Sequence, residues 1–250
     1  MDSGYYAALT GLVARMQAFE VTANNTANMS TTGYKVQREF YKTLTASLNA
    51  SKTPKLSPLN RAVNNYGVLG GSVLDLRNGT LERTGNDLDV ALEGPGFFVI
   101  QTKNGPRYTR NGSFRVTEKG RLISATGDPV LGEKNRPIDI LSGRVSISPD
   151  GTLSQNGAVV GKLRIVDFAP GTSLAPEGNS IYAAPPGAER AVTDTRVRQG
   201  SLESSNQDPV SGVVNTIILQ RHIEILQRAL SIFNNDFDQT AAQQLAQVSG

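Results

Sequence analysis

The chain has 250 residues, of which 19% are charged, and its formal net charge is +3. It contains no cysteine, so disulfide frameworks, thiolate metal sites and cysteine nucleophiles are excluded. The single histidine, His222, lies in a helical pattern, where we expect a surface or packing role. The positive charges are dispersed and tryptophan is absent, so the composition does not predict a nucleic-acid surface.

The N-terminal residues do not have the pattern of a secretory signal peptide, because Asp2 stands where a basic region is expected. No stretch approaches the roughly 18 consecutive apolar residues of a membrane span. The sequence therefore predicts either a cytoplasmic protein or one exported without a cleaved signal, with no direct membrane span.

Residues 4–29 are predicted to form one amphipathic helix that ends near Gly33, a residue suited to a left-handed C-cap. Apolar side chains recur along it at alternating steps of four and three, which is the pattern of a coiled-coil seam. The residues of this N-terminal seam are Tyr5, Leu9, Leu12, Met16, Phe19 and Ala23.

Asn24 and Asn28 lie one turn apart beside that seam, near the end of the predicted helix. One interpretation is a polar, fraying helix end. The other is amide hydrogen bonding that fixes helix register against a neighbour, as buried asparagine does in coiled coils. The residues alone leave both open.

Residues 35–67 are predicted to be an extended linker, since Pro54 and Pro58 lie in a polar stretch. A short helix is possible at its start, where apolar residues step by four at Val36, Phe40, Leu44 and Leu48.

Residues 68–200 are predicted to form an antiparallel β domain with a Greek-key or barrel-like layout. Its strongest signals are turn dipeptides of the type I′ hairpin, at Asn104-Gly105, Asn111-Gly112, Asp150-Gly151 and Asn156-Gly157. The segment 169–190 is rich in proline and glycine and is expected to be a long, irregular loop.

Residues 209–245 are predicted to form a second helix, with Pro209 in its first turn. Its apolar stripe is broader than a two-residue seam, which indicates contact with more than one neighbouring helix. The C-terminal seam comprises Leu219, Ile223, Leu226, Leu230, Phe233 and Phe237.

The expected fold class is therefore α+β, with N- and C-terminal helices that form a coiled-coil-like layer and a central antiparallel all-β domain. The expected division is residues 1–34, 35–67, 68–200 and 201–250.

Motifs that carry chemistry are absent: we find no Walker loop, dinucleotide fingerprint, zinc-protease helix or nucleophile elbow. We expect no catalytic, cofactor-binding or metal-binding residues. One alternative is a secreted β-domain carbohydrate-active or binding protein that uses Asp87 and Asp89 as an acidic pair. A second alternative is a helix-mediated adaptor that does not polymerise.

Four segments, in order along the chain, resemble motifs of bacterial flagellar rod and hook proteins. They are residues 23–35, 88–98, 108–114 and 200–206. The first segment departs from the pattern at Thr26, where leucine is usual. The signature residues that match it are Asn24, Asn25, Ala27, Asn28, Ser30, Gly33 and Tyr34.

The resemblance implies a structural, non-enzymatic subunit of the basal-body rod that polymerises through its terminal helices, with its β domain facing outward. The first six residues, the length and the last helix resemble the proximal rod type more than a distal rod or hook subunit. The resemblance also implies export through the flagellar type III apparatus and a place in the periplasmic part of the basal body. The implied partners are copies of this chain and other rod proteins.

Overall fold

The structure is a computed structural model that describes residues 3–43, 67–141, 143–192 and 194–248. These residues divide into two compact units. The helical unit takes its residues from 1–26, 38–72 and 210–250, and the β unit takes its residues from 27–37 and 73–209.

The two terminal helices are α1 (Ser3–Ala27) and α2 (Pro209–Val248). Neither contains an internal proline, and Pro209 stands at the first helical position, where its missing N–H costs no hydrogen bond. Both helix predictions are confirmed. Gly33 is not the cap of α1, however, because the helix ends six residues earlier, at Ala27. No described helix has both the length and the apolar character that a membrane crossing requires.

The segment after α1 is a strand, and the prediction of a short helix there is wrong. Strand β1 (Gln37–Thr43) is hydrogen-bonded to β2 (Gly67–Leu74), which lies more than twenty residues further along the chain. Pairing with a distant strand outweighs a four-residue spacing, because strand formation depends on its partner more than on local propensity. Leu44, Leu48 and the prolines of the linker lie outside the described residues.

The β unit is built from short strands, and the prediction of a central antiparallel β domain is confirmed. They are β3 (Leu81–Arg83), β4 (Val90–Glu93), β5 (Phe97–Thr102), β6 (Gly105–Thr109), β7 (Arg115–Val116), β8 (Leu122–Ile123), β9 (Val145–Ile147), β10 (Thr152–Gln155), β11 (Ala158–Lys162), β12 (Ile165–Phe168), β13 (Ala175–Gly178), β14 (Ile181–Ala183), β15 (Glu189–Ala191), β16 (Arg196–Gln199) and β17 (Ser201–Glu203).

The largest sheet has the strand order β13-β14-β6-β5-β12-β15, and its described pairings are antiparallel. A smaller sheet has the order β11-β10-β9, while β4 pairs with β16 and β3 with β17. The last two strands thus pair with strands more than a hundred residues earlier, so the β unit closes only when its two ends meet.

Strand β5 is buried on both faces, which explains why its sequence does not alternate between apolar and polar residues. Phe98 and Ile100 point into one core cluster, together with Phe114 and Leu153. On the opposite face, Phe97 belongs to a second cluster. The other members of that cluster are Val99, Tyr108, Leu131, Val166, Phe168, Leu174 and Tyr182.

Three of the four predicted dipeptides lie at hairpins, but only Asn156-Gly157 has the two positive φ angles of the predicted type I′ turn. Asp150-Gly151 joins β9 to β10, and Asn104-Gly105 closes the β5–β6 hairpin. Asn156-Gly157 joins β10 to β11 with φ angles of 51° and 81°, the positive pair that a type I′ turn requires.

Asn111-Gly112 does not form a hairpin, because β6 before it pairs with β5 and β14, whereas β7 after it pairs with β8. Gly112 is needed because two backbone segments approach closely, and a Cβ atom there would overlap the carbonyl oxygen of Val90. The backbone N–H of Val90 donates a hydrogen bond to the carbonyl oxygen of Gly112 at 3.0 Å. The dipeptide therefore marks a backbone crossing.

The prediction of an irregular loop over residues 169–190 is wrong in part. The segment contains β13, β14 and the start of β15, which belong to the six-stranded sheet, where β14 sits between β13 and β6. Pro176 is accommodated because β13 is an edge strand, and proline is tolerated there without loss of a central ladder hydrogen bond.

Replacing Gly112 with alanine is expected to lower the free energy of unfolding by about 2–3 kcal/mol, because the added methyl group forces the Val90 backbone to shift. Urea unfolding followed by circular dichroism measures it. Gly161→Ala is the matched control, since a Cβ atom there lies no closer than 3.4 Å to Ile138. Equal loss of stability in the two variants would contradict the explanation that the close approach of Gly112 to the Val90 backbone causes the loss.

Candidate functional site

The signature segment leaves α1 through a tight turn. The backbone N–H of Thr31 donates to the carbonyl oxygen of Asn28 at 3.0 Å, and its hydroxyl group lies 3.1 Å from the side-chain oxygen of the same residue. Asn25 is buried and Asn24 is exposed. The Asn28 amide therefore stabilises the turn after the helix, while the role of Asn24 stays a prediction.

Gly33 brings the signature against the β unit. Its φ of 66° lies in the left-handed region, and a Cβ atom there would overlap the backbone of Arg110. Its N–H donates to the carbonyl oxygen of Glu203 at 2.7 Å. Only glycine meets both demands, because the position needs a positive φ and contact between two backbones.

Lys35 anchors the same segment through its ammonium group. The Nζ atom lies 2.7 Å from Oε1 of Glu203 and 2.7 Å from the carbonyl oxygen of Arg77. Its backbone N–H donates to the hydroxyl group of Tyr182 at 3.0 Å. The side chains of both Lys35 and Glu203 are 1% exposed, so this ion pair is completely removed from solvent.

Glu203, in β17, also pairs with a second buried cation, Arg110. Among the described residues, Glu203 is the only acid that forms an ion pair with Lys35 or with Arg110. The Nη1 atom of Arg110 lies 3.0 Å from Oε2, and the backbone N–H of Gly79 donates to Oε1 at 2.8 Å. Arg110 also donates to the carbonyl oxygen of Gly94 at 2.8 Å. Its guanidinium carbon stands 5.4 Å from the ring centroid of Phe97, a cation–π distance.

The neighbouring backbone is fixed by an amide. Asn206 accepts from the N–H of Val36 at 2.9 Å and donates to the carbonyl oxygens of Asp75 and Arg77 at 2.8 and 3.0 Å. We call the group formed by Gly33, Lys35, Arg110, Glu203 and Asn206 the buried knot.

The knot places two cations and one anion in a site that excludes water. Burial lowers the pKa of Lys35, and the charge of Glu203 opposes that shift. Burial likewise lowers the pKa of Arg110, again opposed by Glu203. Nε of Arg110 has no hydrogen-bond partner among the described residues, so the arginine depends on Glu203 and on the Gly94 carbonyl for compensation.

Each of the four motifs found in the sequence contributes to the knot. Residues 23–35 supply Gly33 and Lys35, and residues 88–98 supply the Gly94 carbonyl and the ring of Phe97. Residues 108–114 supply Arg110, and residues 200–206 supply Glu203 and Asn206. Four segments that are far apart in the sequence therefore meet at one place in the β unit.

Comparison with known proteins shows the family to which these motifs belong. The family model described as "Flagella basal body rod protein" matches residues 6–35, and the model of the flagellar hook protein FlgE/F/G D1 domain matches residues 91–155. The flagellar basal-body rod protein FlgF of Caulobacter vibrioides is 33% identical over 92% of this chain and 93% of its own length. The chain belongs to the family of flagellar basal-body rod proteins.

Other relatives of this rod subunit agree. FlgF of Salmonella typhimurium is 30% identical over 100% of both chains, and the rod protein FlgG of Agrobacterium fabrum is 32% identical over 90% of this chain and 92% of its own length. The subunit is of the FlgF type, as the sequence predicted, and it is a structural component of the basal body, not an enzyme.

The acidic pair of the alternative hypothesis does not form a catalytic arrangement. Asp87 is exposed and lies 3.3 Å from Arg144, whereas Asp89 is buried and accepts from the Asn86 amide at 3.1 Å. Among the described residues, no cluster of three His, Cys, Asp or Glu side chains could hold a metal ion.

A charged cleft of about 410 Å³ on the rod subunit also holds paired charges. Lys162 lies 2.9 Å from Glu133, and Arg164 pairs with Glu189. The cleft is therefore a set of surface ion pairs, in keeping with a structural protein.

The predicted seams occupy different surroundings in the helical unit. On α1, Leu9 and Met16 are 38% and 47% exposed, while the remaining seam residues Tyr5, Leu12, Phe19 and Ala23 are half-buried. On α2, Leu219 and Leu230 are buried, Ile223 and Leu226 are half-buried, and Phe233 is exposed. The side chain of Phe237 lies outside the described residues.

The signature residues belong to two groups. Gly33 and Tyr34 are buried in the β unit, whereas Ala27 and Ser30 are exposed. Sequence reasoning missed the ionic part of the knot. Arg110 and Glu203 lie inside motifs that were noticed, but an isolated charge in a polar segment resembles a solvated side chain, and no periodicity connects residues 35, 110 and 203.

Replacing Glu203 with glutamine is expected to destabilise the β unit by about 3–5 kcal/mol, because it leaves two buried cations without an anion. Urea unfolding measures the loss. Glu82→Gln is the matched control, since Glu82 lies opposite Leu202 in the β3–β17 pair and is exposed. The control is expected to change stability by less than about 0.5 kcal/mol.

A double-mutant cycle with Lys35→Met separates pairing from packing. The effects of Lys35→Met and Glu203→Gln are expected to be non-additive by about 1–3 kcal/mol, because the two groups share one ion pair. Strict additivity would show that Lys35 and Glu203 act independently.

Burial raises the pKa of Tyr34 to about 12 from its ordinary value of 10.0. Between pH 10 and pH 12 the unfolded tyrosine loses its proton while the folded one keeps it. The contribution of Tyr34 to the free energy of unfolding is therefore complete below pH 10 and falls as pH rises toward 12. Unfolding measured at several pH values in this window should show a shallower decline for Tyr34→Phe, by up to about 1.4 kcal/mol per pH unit. Parallel slopes would refute the contribution of Tyr34.

Proposed function

We propose that this rod subunit polymerises through its terminal helices as part of the proximal rod, in the periplasmic portion of the basal body. In this proposal residues 1–34 and 201–250 assemble, residues 35–67 connect, and residues 68–200 form the β domain. Export proceeds through the flagellar type III apparatus without a cleaved signal. The observation that carries the proposal is that each terminal helix has one apolar face turned inward and another exposed to solvent.

The inward face of α1 is made of small residues. Ala14 and Ala18 are 6% and 0% exposed, and Gly11 lies on the same side of the helix. A Cβ atom at Gly11 would stand 3.9 Å from Cδ1 of Leu226, so α1 and α2 of one chain contact each other at this point. Small side chains let two helix backbones approach closely, which favours a coiled-coil-like pairing of the two helices.

The inward face of α2 contains Leu219, Ile223, Leu226 and Leu230, all from the predicted C-terminal seam. These positions follow steps of four, three and four, as a coiled coil requires. Within one chain, the C-terminal seam therefore meets the small-residue face of α1.

Many large apolar side chains on the two helices remain exposed. On α1 they are Leu9, Val13 and Met16, and on α2 they are Val210, Val213, Val214, Ile217, Ile218, Ile225, Ile232 and Phe233. Burial of one such side chain contributes about 1.5–3 kcal/mol, so covering these faces with neighbouring subunits strongly favours assembly. A contact between different faces generates a helical array when its rotation does not close into a ring, and such an array has the geometry of a rod.

The buried knot supports this role. It fixes both chain segments that lead to the terminal helices, Gly33–Val36 after α1 and Glu203–Asn206 before α2, to the same part of the β unit. We infer that these two segments leave the β unit at the same place in every subunit, as a repeating structure requires.

Leu226→Asp is expected to block assembly, because it places a charge on the inward face of α2 beside Gly11. Electron microscopy of basal bodies from cells that carry only the variant should show rods reduced at least about tenfold, the effect of a loss near 1.4 kcal/mol. Gln227→Asp is the matched control, since the adjacent Gln227 is exposed and its replacement should leave rods intact.

Unfolding of the purified Leu226→Asp variant should still show the cooperative transition of the β unit. Normal rods with the Leu226→Asp chain would refute assembly through the paired helices.

A further inference from the structure

The exposed apolar residues of α2 follow a second coiled-coil pattern on the far side of the helix from its inward face. Starting at Val214, the pattern advances by alternating steps of four and three, and every member is exposed. We call it the α2 outer seam; it comprises Val214, Ile218, Arg221, Ile225, Arg228 and Ile232. Two of its six positions are arginine, which is unusual for positions that become buried.

The exposed side of α1 has a shorter pattern of the same kind. The α1 outer seam comprises Leu9, Val13, Met16 and Glu20, at steps of four, three and four, and all four residues are exposed. With 3.6 residues per turn, these positions lie opposite Gly11, Ala14 and Ala18, which face inward. Leu9 and Met16 belong to the N-terminal seam found in the sequence, whereas Glu20 does not.

The two outer seams are complementary in charge. Glu20 on α1 and the arginines 221 and 228 on α2 form no ion pair within the described part of the chain. Burying an arginine without an anion is costly, so a partner surface for the α2 outer seam must supply an acid. The α1 outer seam supplies this acid, because Glu20 is one of its four positions.

The spacing allows only four alignments in which all four α1 positions face positions of the α2 outer seam. The two parallel alignments place Glu20 opposite Ile225 or Ile232. Of the two antiparallel alignments, one places it opposite Val214 and the other opposite Arg221. Charge pairing therefore selects a single register.

We propose that the α1 outer seam of one subunit packs antiparallel on the α2 outer seam of a second copy of this chain, with Glu20 opposite Arg221. This proposal rests on assembly through the terminal helices and specifies which surfaces meet. In this register Met16 faces Ile225 and Leu9 faces Ile232. Arg228 faces Val13, so its aliphatic stem covers the valine while its guanidinium group reaches the edge of the contact.

The Glu20–Arg221 pair then sets register and partner choice more than affinity. A charge pair inside an apolar seam contributes little net binding energy, because both groups lose their hydration. Misaligned or foreign partners leave one charge unpaired, which costs far more. The remaining apolar positions supply the favourable free energy.

Site-directed disulfide formation tests the register, because the chain has no cysteine of its own. Two tagged forms of the full chain, one with Met16→Cys and one with Ile225→Cys, are produced together in a strain without the original protein. A disulfide needs Cα atoms within about 4.4–6.8 Å, which the proposed register provides. We expect basal bodies to contain a disulfide-linked dimer that carries both tags.

Val13→Cys combined with Ile225→Cys is the matched control, since these positions face each other only in one of the parallel alignments. A strong dimer from the control pair, no dimer from the Met16 pair, or a disulfide between Met16→Cys and a different protein would each overturn the proposal.

Charge exchange provides a second, independent measurement. Glu20→Arg alone and Arg221→Glu alone are each expected to reduce rod formation at least about tenfold, because like charges meet in the contact. The double variant Glu20→Arg/Arg221→Glu is expected to restore rods to within about twofold, because the pair is re-formed in reverse. Failure of the double variant to recover rods would overturn the register.

Leu226→Asp distinguishes this proposal from the one on which it rests. If Leu226→Asp abolishes rods but both single charge reversals leave them intact, the outer-seam pairing is wrong and assembly through the helices stands. If rods form normally with Leu226→Asp, the broader proposal is wrong as well.

Discussion

The β unit depends on one carboxylate. Glu203 forms ion pairs with both Lys35 and Arg110 in a site without solvent, and its backbone carbonyl accepts a hydrogen bond from the N–H of Gly33. A buried charge is tolerated only when an opposite charge and hydrogen bonds replace its lost hydration. Burial of Lys35 therefore requires strand β17, and the fixed position of the signature segment requires buried Lys35. This single interaction joins the beginning and the end of a chain whose strands β16 and β17 also pair with much earlier strands.

The terminal helices follow a different physical rule. Their inward faces are built for close packing within one chain, with Gly11 beside Leu226 and with Ala14 and Ala18 buried. Their other faces keep large apolar side chains in water, and a soluble monomer gains nothing from that exposure. In the proposed assembly these side chains have a reason to be exposed, because covering them with neighbouring subunits would release free energy. Under that proposal, the ion-anchored β unit serves folding of the subunit and the apolar helices serve growth of the rod.

The sequence predicted several elements correctly because their signals are local. Both helices follow a periodicity that any window of the chain displays, and Asn156-Gly157 forms its hairpin because only such residues readily adopt two successive positive φ angles. The mistakes share one cause. Residues 37–43 and 181–183 became strands because distant strands offered hydrogen bonds, and Gly112 is required by the approach of Val90. None of these partners is visible in the neighbouring sequence.

The sequence by itself determined the helical ends, the antiparallel β centre, the absence of cysteine chemistry and the four motifs that indicate a flagellar rod protein. Only the tertiary structure decided that those motifs form one buried knot, that Lys35, Arg110 and Glu203 are its charges, and which faces of α1 and α2 turn inward. The physical reason is the range of the interactions. Periodicity and turn preference act over a few residues, whereas ion pairing and burial depend on distances in space between residues as far apart as 35 and 203.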